Sequence, residues 1–197
     1  MSKIFLSLLL LILIPNYYQY YGIENFLWIS DIALFLIFLG VYTNSALLIS
    51  IAATLSFFTE INWCLDFFYH LLTGYNLLGM ADYMFDSQLS LFLRGLSLFH
   101  LILPIYSIKY LYLWGYEESA FKYSTVLYCT IICACYMCTQ VDKNINWVHL
   151  VQVNNWQTIS PASWVLIQMT LYPLLIMFPT SLLFKNAFAS SHGYMRV

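Results

Sequence analysis

The chain has 197 residues, of which 62% are hydrophobic and 8% charged, against about 25% charged in ordinary soluble domains. Seven Lys and Arg against nine Asp and Glu give a formal net charge of −2, which excludes the charged surface of a soluble domain and the basic tract of a nucleic-acid-binding protein. With a mean hydropathy of +0.76, the composition predicts an all-α, polytopic transmembrane bundle of about six helices that faces membrane lipids and forms one domain over residues 1–197.

The first predicted helix runs from about Ile4 to Tyr21. Lys3 followed by an apolar run has the form of a signal peptide, but Pro15-Asn16-Tyr17-Tyr18 stands where a small-residue cleavage site would be, so the segment reads as a retained helix with a kink at Pro15. The second spans about Phe26 to Val41 and the third about Ser45 to Leu72, joined by the polar break Tyr42-Thr43-Asn44-Ser45 as a tight helical hairpin. The fourth covers about Leu89 to Trp114, the fifth about Ala120 to Thr139 and the sixth about Ala162 to Phe184. Six spans put both termini on one side. Lys3, Lys109, Lys122, Lys185 and Arg196 lie on or near that side, whereas Lys143 and Arg94 lie toward the other. The positive-inside rule therefore predicts an integral protein of a bacterial inner membrane with both termini cytoplasmic and the loops Thr73–Gln88 and Gln140–Pro161 outward.

Ionisable residues within membrane helices are costly and normally face the bundle interior. Here they fall at helical spacing. Helix two carries Trp28 and Asp31 after Asn25; helix three carries Glu60, Trp63, Asp66, His70 and Thr73; helix four carries Arg94, Ser97, His100 and Pro104. Steps of three and four residues place each set on one face. His100 falls roughly 16 Å below the outer end of its helix at 1.5 Å per residue, and Glu60 reaches a similar depth. Asp82, Asp86, Asn144, Asn146 and Trp147 cap the same side. The expectation is an outward-opening cleft with Glu60, Asp66, Arg94 and His100 clustered at its base. Structural pairing is the competing reading, with Arg94 neutralising Asp66 or Asp86.

A histidine at that depth can act as a general base or a proton carrier. No GxSxG, HExxH or phosphate-binding glycine loop is present, and no cofactor is indicated. Glu60, Asp66, His70 and His100 would make a chemically plausible shell for zinc or iron, but spacing alone assigns no metal. Cys129, Cys133, Cys135 and Cys138 lie in one apolar helix and read as packing residues, the C-x-x-C spacing notwithstanding.

The motifs Trp28-x-x-Asp31, Glu60-x-x-Trp63-x-x-Asp66-Phe67, Asp82 to Asp86, Arg94 to Pro104 and Asn144 to Val148 resemble those of a family of bacterial multi-pass membrane proteins without an assigned activity, over about residues 15–185. More distantly, six helices with a mid-membrane histidine are similar to the androgen-induced-gene intramembrane hydrolases and related membrane acyltransferases. That resemblance implies action on lipid acyl esters, with His100 matching the histidine; neither Thr43, Thr73 nor Cys64 stands in a motif matching the threonine nucleophile. A small transporter relaying protons through Glu60, Asp66 and His100, and a structural subunit of a membrane complex, are the alternatives. A haem protein using His70 and His100 is a more remote one.

Overall fold

A computed structural model describes residues 2–149 and 159–189. Among them there is no strand, and the helices run α1 Ser2–Tyr21, α2 Ile29–Thr43, α3 Ala46–Thr73, α4 Leu91–Leu96, α5 Phe99–Trp114, α6 Ala120–Cys138, α7 Pro161–Tyr172 and α8 Phe178–Ala187. α4 with α5, and α7 with α8, each form one broken helical segment, so the helices group into six segments of an all-α bundle. Five of these segments are long and apolar enough to cross a membrane, which marks the chain as an integral membrane protein. Lys109 Nζ donates to Ser2 Oγ at 3.0 Å and the Tyr116 N–H donates to the Phe188 carbonyl. Both ends of the described chain thus lie on one face, here the terminal face; the connections 22–28, 74–90 and 139–149 form the opposite, loop face. Arg196 and residues 150–158 of the 140–161 loop lie outside the described residues.

α3 is the axle of the bundle and packs against α2, α5 and α6. Its first half is buried all round from Ile49 to Ser56, because small residues such as Ala52 and Ala53 let neighbouring backbones approach. The hairpin with α2 is equally close: a Cβ on Gly40 would stand 2.9 Å from Ile49 Cδ1. Asn44 closes α2 in the left-handed conformation, and Ser45 Oγ accepts the Leu48 N–H to start α3. Thr54 shares a 2.8 Å hydrogen bond with the hydroxyl of Tyr116, in the connection after α5.

Two broken spans differ from the continuous helices expected. The fourth segment breaks at Ser97–Leu98, where the Ser97 N–H is shared between the Leu93 and Arg94 carbonyls and those of Leu98, His100 and Leu101 reach back three residues. Further on, Pro104 supplies no N–H for the His100 carbonyl, and the Cys64 thiol of α3 reaches that carbonyl at 3.8 Å. The sixth segment repeats the device. Pro173 opens a wide turn over Pro173–Met177, its ring frees the Met169 carbonyl, and Cys129 Sγ of α6 lies 3.9 Å from that oxygen. These two cysteines therefore satisfy proline-orphaned carbonyls on neighbouring helices, a role beyond the packing expected of them.

The second span has the length expected and is shorter than the hydrocarbon it faces. α2 has 15 residues, about 22 Å at 1.5 Å per residue, against about 30 Å of hydrocarbon. A tight turn over Ile23–Leu27 precedes it, and Asn146, from the loop after α6, caps its start.

Candidate functional site

Glu60 lies mid-way along α3 and is 2% exposed. His100 lies in the first turn of α5, just past the break that ends α4, and its Nδ1 stands 2.7 Å from Glu60 Oε2. Trp63, one turn from Glu60 on the same face of α3, stacks on the imidazole at 4.5 Å and 17°, and Phe99 stacks at 4.3 Å and 24°. The ring is therefore fixed by a carboxylate at one nitrogen and by aromatic rings at its faces. With Nδ1 engaged, Nε2 is the nitrogen left to exchange a proton.

The pair lines a cavity of about 490 Å³ on the loop-face half of the bundle, within the usual range for small-molecule sites. α1 contributes Tyr17, Tyr20 and Tyr21; α2 contributes Asp31; α3 contributes Thr59, Glu60 and Trp63; the 74–90 connection contributes Tyr83. Tyrosine, tryptophan and phenylalanine rings share the lining with polar side chains, among them Asn25, Ser30, Thr59 and Ser97. Burial pushes the Tyr83 phenol well above its ordinary range, so it stays neutral and works as a hydrogen-bonding hydroxyl. Tyr17 and Ser97 share a 2.6 Å hydroxyl hydrogen bond across α1 and the α4–α5 break. Lys143 sits at the cavity edge, where its Nζ is 3.6 Å from Glu24 Oε1 and donates to the Tyr21 carbonyl at 3.3 Å.

Asn146 closes one side. Its Oδ1 accepts the Ile29 N–H at 3.1 Å, and its Nδ2 donates to the Leu27 carbonyl at 2.8 Å and approaches Cys135 Sγ at 3.3 Å. The side chain so satisfies backbone groups at the start of α2 that are too deep for bulk water, the condition for irregular backbone at membrane depth. Asn144, Asn146 and Trp147 all adopt positive φ, a conformation sparsely populated outside glycine. Trp164 Nε1 on α7 donates to the Trp147 carbonyl at 2.8 Å and helps to hold that turn.

Of the residues singled out in the sequence, Asp31, Glu60, Trp63, Ser97, His100, Asn146 and Trp147 line the cavity. Asp66, Arg94, His70, Asp82, Asp86 and Asn144 do not. The expected four-residue cluster is thus only a pair. Asp66 is buried, but its Oδ1 accepts the N–H groups of Leu77, Leu78 and Gly79, and its Oδ2 accepts that of Ala81. It clamps the 74–90 connection onto the end of α3. Arg94 neutralises neither Asp66 nor Asp86; its Nη1 donates to the Met84 carbonyl at 3.1 Å. Its side chain lies outside the cavity lining despite the matching spacing. His70 stacks on Phe85 at 3.8 Å. Asp86 Oδ1 accepts the Gln88 N–H in a local turn, Asn144 Oδ1 accepts the His149 N–H, and Asp82 is exposed.

The tyrosines of α1, Thr59, Tyr83 and Phe99 were not foreseen as site residues. The tyrosine run at the end of α1 carried the only signal, and it reads equally as an interfacial belt. Among the described residues no group of three or more His, Cys, Asp or Glu side chains is gathered to hold a metal ion. No family model, no curated protein and no solved structure matches the chain.

Proposed function

We propose that this protein is a lipid-directed intramembrane hydrolase or acyltransferase in which His100, oriented by Glu60, acts as general base on an ester held in the cavity. The observation that carries this reading is the 2.7 Å Glu60–His100 contact inside an aromatic-walled cavity. A carboxylate on Nδ1 fixes the orientation of the imidazole, the arrangement general-base catalysis requires. Nε2 takes the proton of a hydroxyl as that oxygen adds to the ester carbonyl, then delivers it to the departing alkoxide. The hydroxyl belongs to water in hydrolysis and to an acceptor alcohol in acyl transfer.

Two further features support the reading. Trp63 Nε1 is buried and makes no hydrogen bond of ordinary geometry, with the Tyr83 hydroxyl as a polar neighbour; it belongs to the ring stacked on His100, so it can donate to the carbonyl oxygen as charge develops there. Ser97 Oγ is already engaged by the Tyr17 hydroxyl and the Leu93 carbonyl, so Ser97 is a positioning residue in this scheme and not the nucleophile. The lysine distribution of the two faces supports both termini in the cytoplasm of a bacterial inner membrane, with the cavity open to the outside.

The test is turnover of a membrane lipid extract by purified protein, with released acyl products read by mass spectrometry. His100→Gln should fold like wild type and lose about 100-fold or more in rate, the usual contribution of a positioned base. Trp63→Phe keeps the stacking ring and should lose about tenfold. Full activity in folded His100→Gln, or no ester cleaved or transferred by the wild type, refutes the assignment. For topology, a reporter fused at the C-terminus should behave as cytoplasmic and one inserted in the 74–90 connection as exported; the reverse pattern refutes the orientation.

A further inference from the structure

Asp31 has no role in the proposed reaction, yet it is one of the most buried charged groups in the molecule, at 2% exposure. It stands in the first turn of α2 and lines the cavity, and its Oδ1 has no hydrogen-bond partner among the described residues. Leaving a buried acceptor unsatisfied costs about 1–3 kcal/mol, and more for a charged one. The cationic groups around the cavity are already engaged. His100 is held by Glu60, and Lys143 is held by Glu24 and the Tyr21 carbonyl. Arg94 faces the Met84 carbonyl, outside the cavity lining. Asp31 is thus the carboxylate in this cavity without a cation.

The walls beside it are aromatic. Trp28, three residues before Asp31, meets Trp147 edge-to-face at 5.3 Å, and Tyr17 meets Tyr21 in the same way at 5.3 Å. All four rings line the cavity. Aromatic rings lining the same cavity as a carboxylate without a cation are surroundings that stabilise an organic cation by cation–π attraction.

We propose that the cavity binds a quaternary ammonium group, with Asp31 as its counter-ion and the Trp28, Trp147 and tyrosine rings as its cage. The alternatives fit less well. A metal ion requires several oxygen or nitrogen donors, and no such group is gathered among the described residues. A primary ammonium is held through three N–H donors, whereas the aromatic rings that share the lining with Asp31 favour a cation that carries none. A methylated ammonium needs no hydrogen bonds and fills an aromatic cage. A trimethylammonium group occupies on the order of 100 Å³, so a cavity of about 490 Å³ leaves room for more of a ligand than its headgroup. The chemistry is shared by free choline-type amines and choline-type lipid headgroups. The lipid case rests on the esterase reading above and gives it a substrate class.

The experiment titrates purified protein in a neutral detergent and follows tryptophan fluorescence. The probes are choline, its uncharged isostere 3,3-dimethylbutan-1-ol, lysophosphatidylcholine and lysophosphatidylglycerol. Choline or lysophosphatidylcholine should saturate, and the cation should bind about tenfold or more tighter than its isostere. Asp31→Asn, nearly isosteric, should remove about that tenfold for the cations and leave the isostere unchanged. Saturation by the lysolipid alone assigns the ammonium to a lipid headgroup; saturation by free choline as well assigns it to soluble amines too. No saturable cation response, equal binding of the isostere or of lysophosphatidylglycerol, or undiminished binding in Asp31→Asn overturns the proposal. Should Asp31→Asn fail to fold, the wild-type comparison of cation with isostere decides alone. Cation binding without ester turnover would leave this inference standing and remove the catalytic one; turnover of anionic lipids without cation binding would do the reverse.

Discussion

Replacing Asp66 by Asn tests whether this carboxylate is a clamp or a member of the cleft chemistry. The aspartate accepts four backbone N–H groups, three on Oδ1 at 2.7–3.3 Å and one on Oδ2 at 2.7 Å. Asparagine in the same rotamer keeps the Oδ1 set but turns an amide N–H₂ toward the Ala81 N–H. One charge-assisted bond is lost, worth about 1.5–3 kcal/mol, and two donors are left opposed. Taking about 2 kcal/mol for the local opening of the connection, at 1.4 kcal/mol per decade, amide hydrogen exchange across residues 77–81 should accelerate about 30-fold. Exchange in the Ile49–Ser56 stretch of α3, which makes no contact with the clamp, should not change. Asp66→Ala abolishes all four bonds and should release the segment further. Exchange at residues 77–81 within about twofold of wild type in Asp66→Asn would refute the clamp and return Asp66 to the list of residues free for chemistry.

Three other predictions follow from the packing. Asn146→Ala strands the Ile29 N–H and the Leu27 carbonyl, and should destabilise the detergent-solubilised protein by about 2–4 kcal/mol in unfolding titrations, whereas Asn144→Gly, which keeps the left-handed backbone and loses one loop hydrogen bond, should cost about 1 kcal/mol or less. Gly40→Ala pushes a methyl against fully buried Ile49 and should cost about 1–3 kcal/mol by the same assay, an effect that Gly40→Ala with Ile49→Val should partly relieve. Cys64→Ala leaves the His100 carbonyl without its thiol and should cost about 1 kcal/mol, while Cys64→Ser, a stronger donor of similar size, should recover most of it; equal loss in both variants would refute the hydrogen-bonding role.

The broad architecture was legible because a bilayer simplifies the problem. Backbone groups must be paired within each span, so long apolar runs become helices, and the six segments appear within a few residues of the expected ends. Short polar breaks such as Tyr42–Ser45 also work locally: Asn44 adopts a left-handed cap and Ser45 starts the next helix. The Glu60–His100 pairing was approachable for the same reason, since both residues stand on inward polar stripes at similar depth and a buried ion pair is the cheapest solution for them.

What the sequence could not supply is the direction each stripe residue takes. Spacing of three residues put Arg94 in register with Ser97 and His100, but its guanidinium takes the Met84 carbonyl of the 74–90 connection instead. Asp66 shares a face with Glu60 and Trp63, yet a connection eleven residues downstream folds back to supply its partners, an event invisible to periodicity. α2 begins at Ile29 with Asn146, 117 positions away, as its cap. Composition and hydropathy alone therefore determined that the chain is a membrane-spanning helical bundle and which residues are too polar to face lipid. Which of those residues meet in one cavity, and which instead satisfy backbone, was decided by tertiary contacts, because each buried polar group takes the partner the assembled bundle leaves within hydrogen-bond reach, wherever that partner lies in the chain.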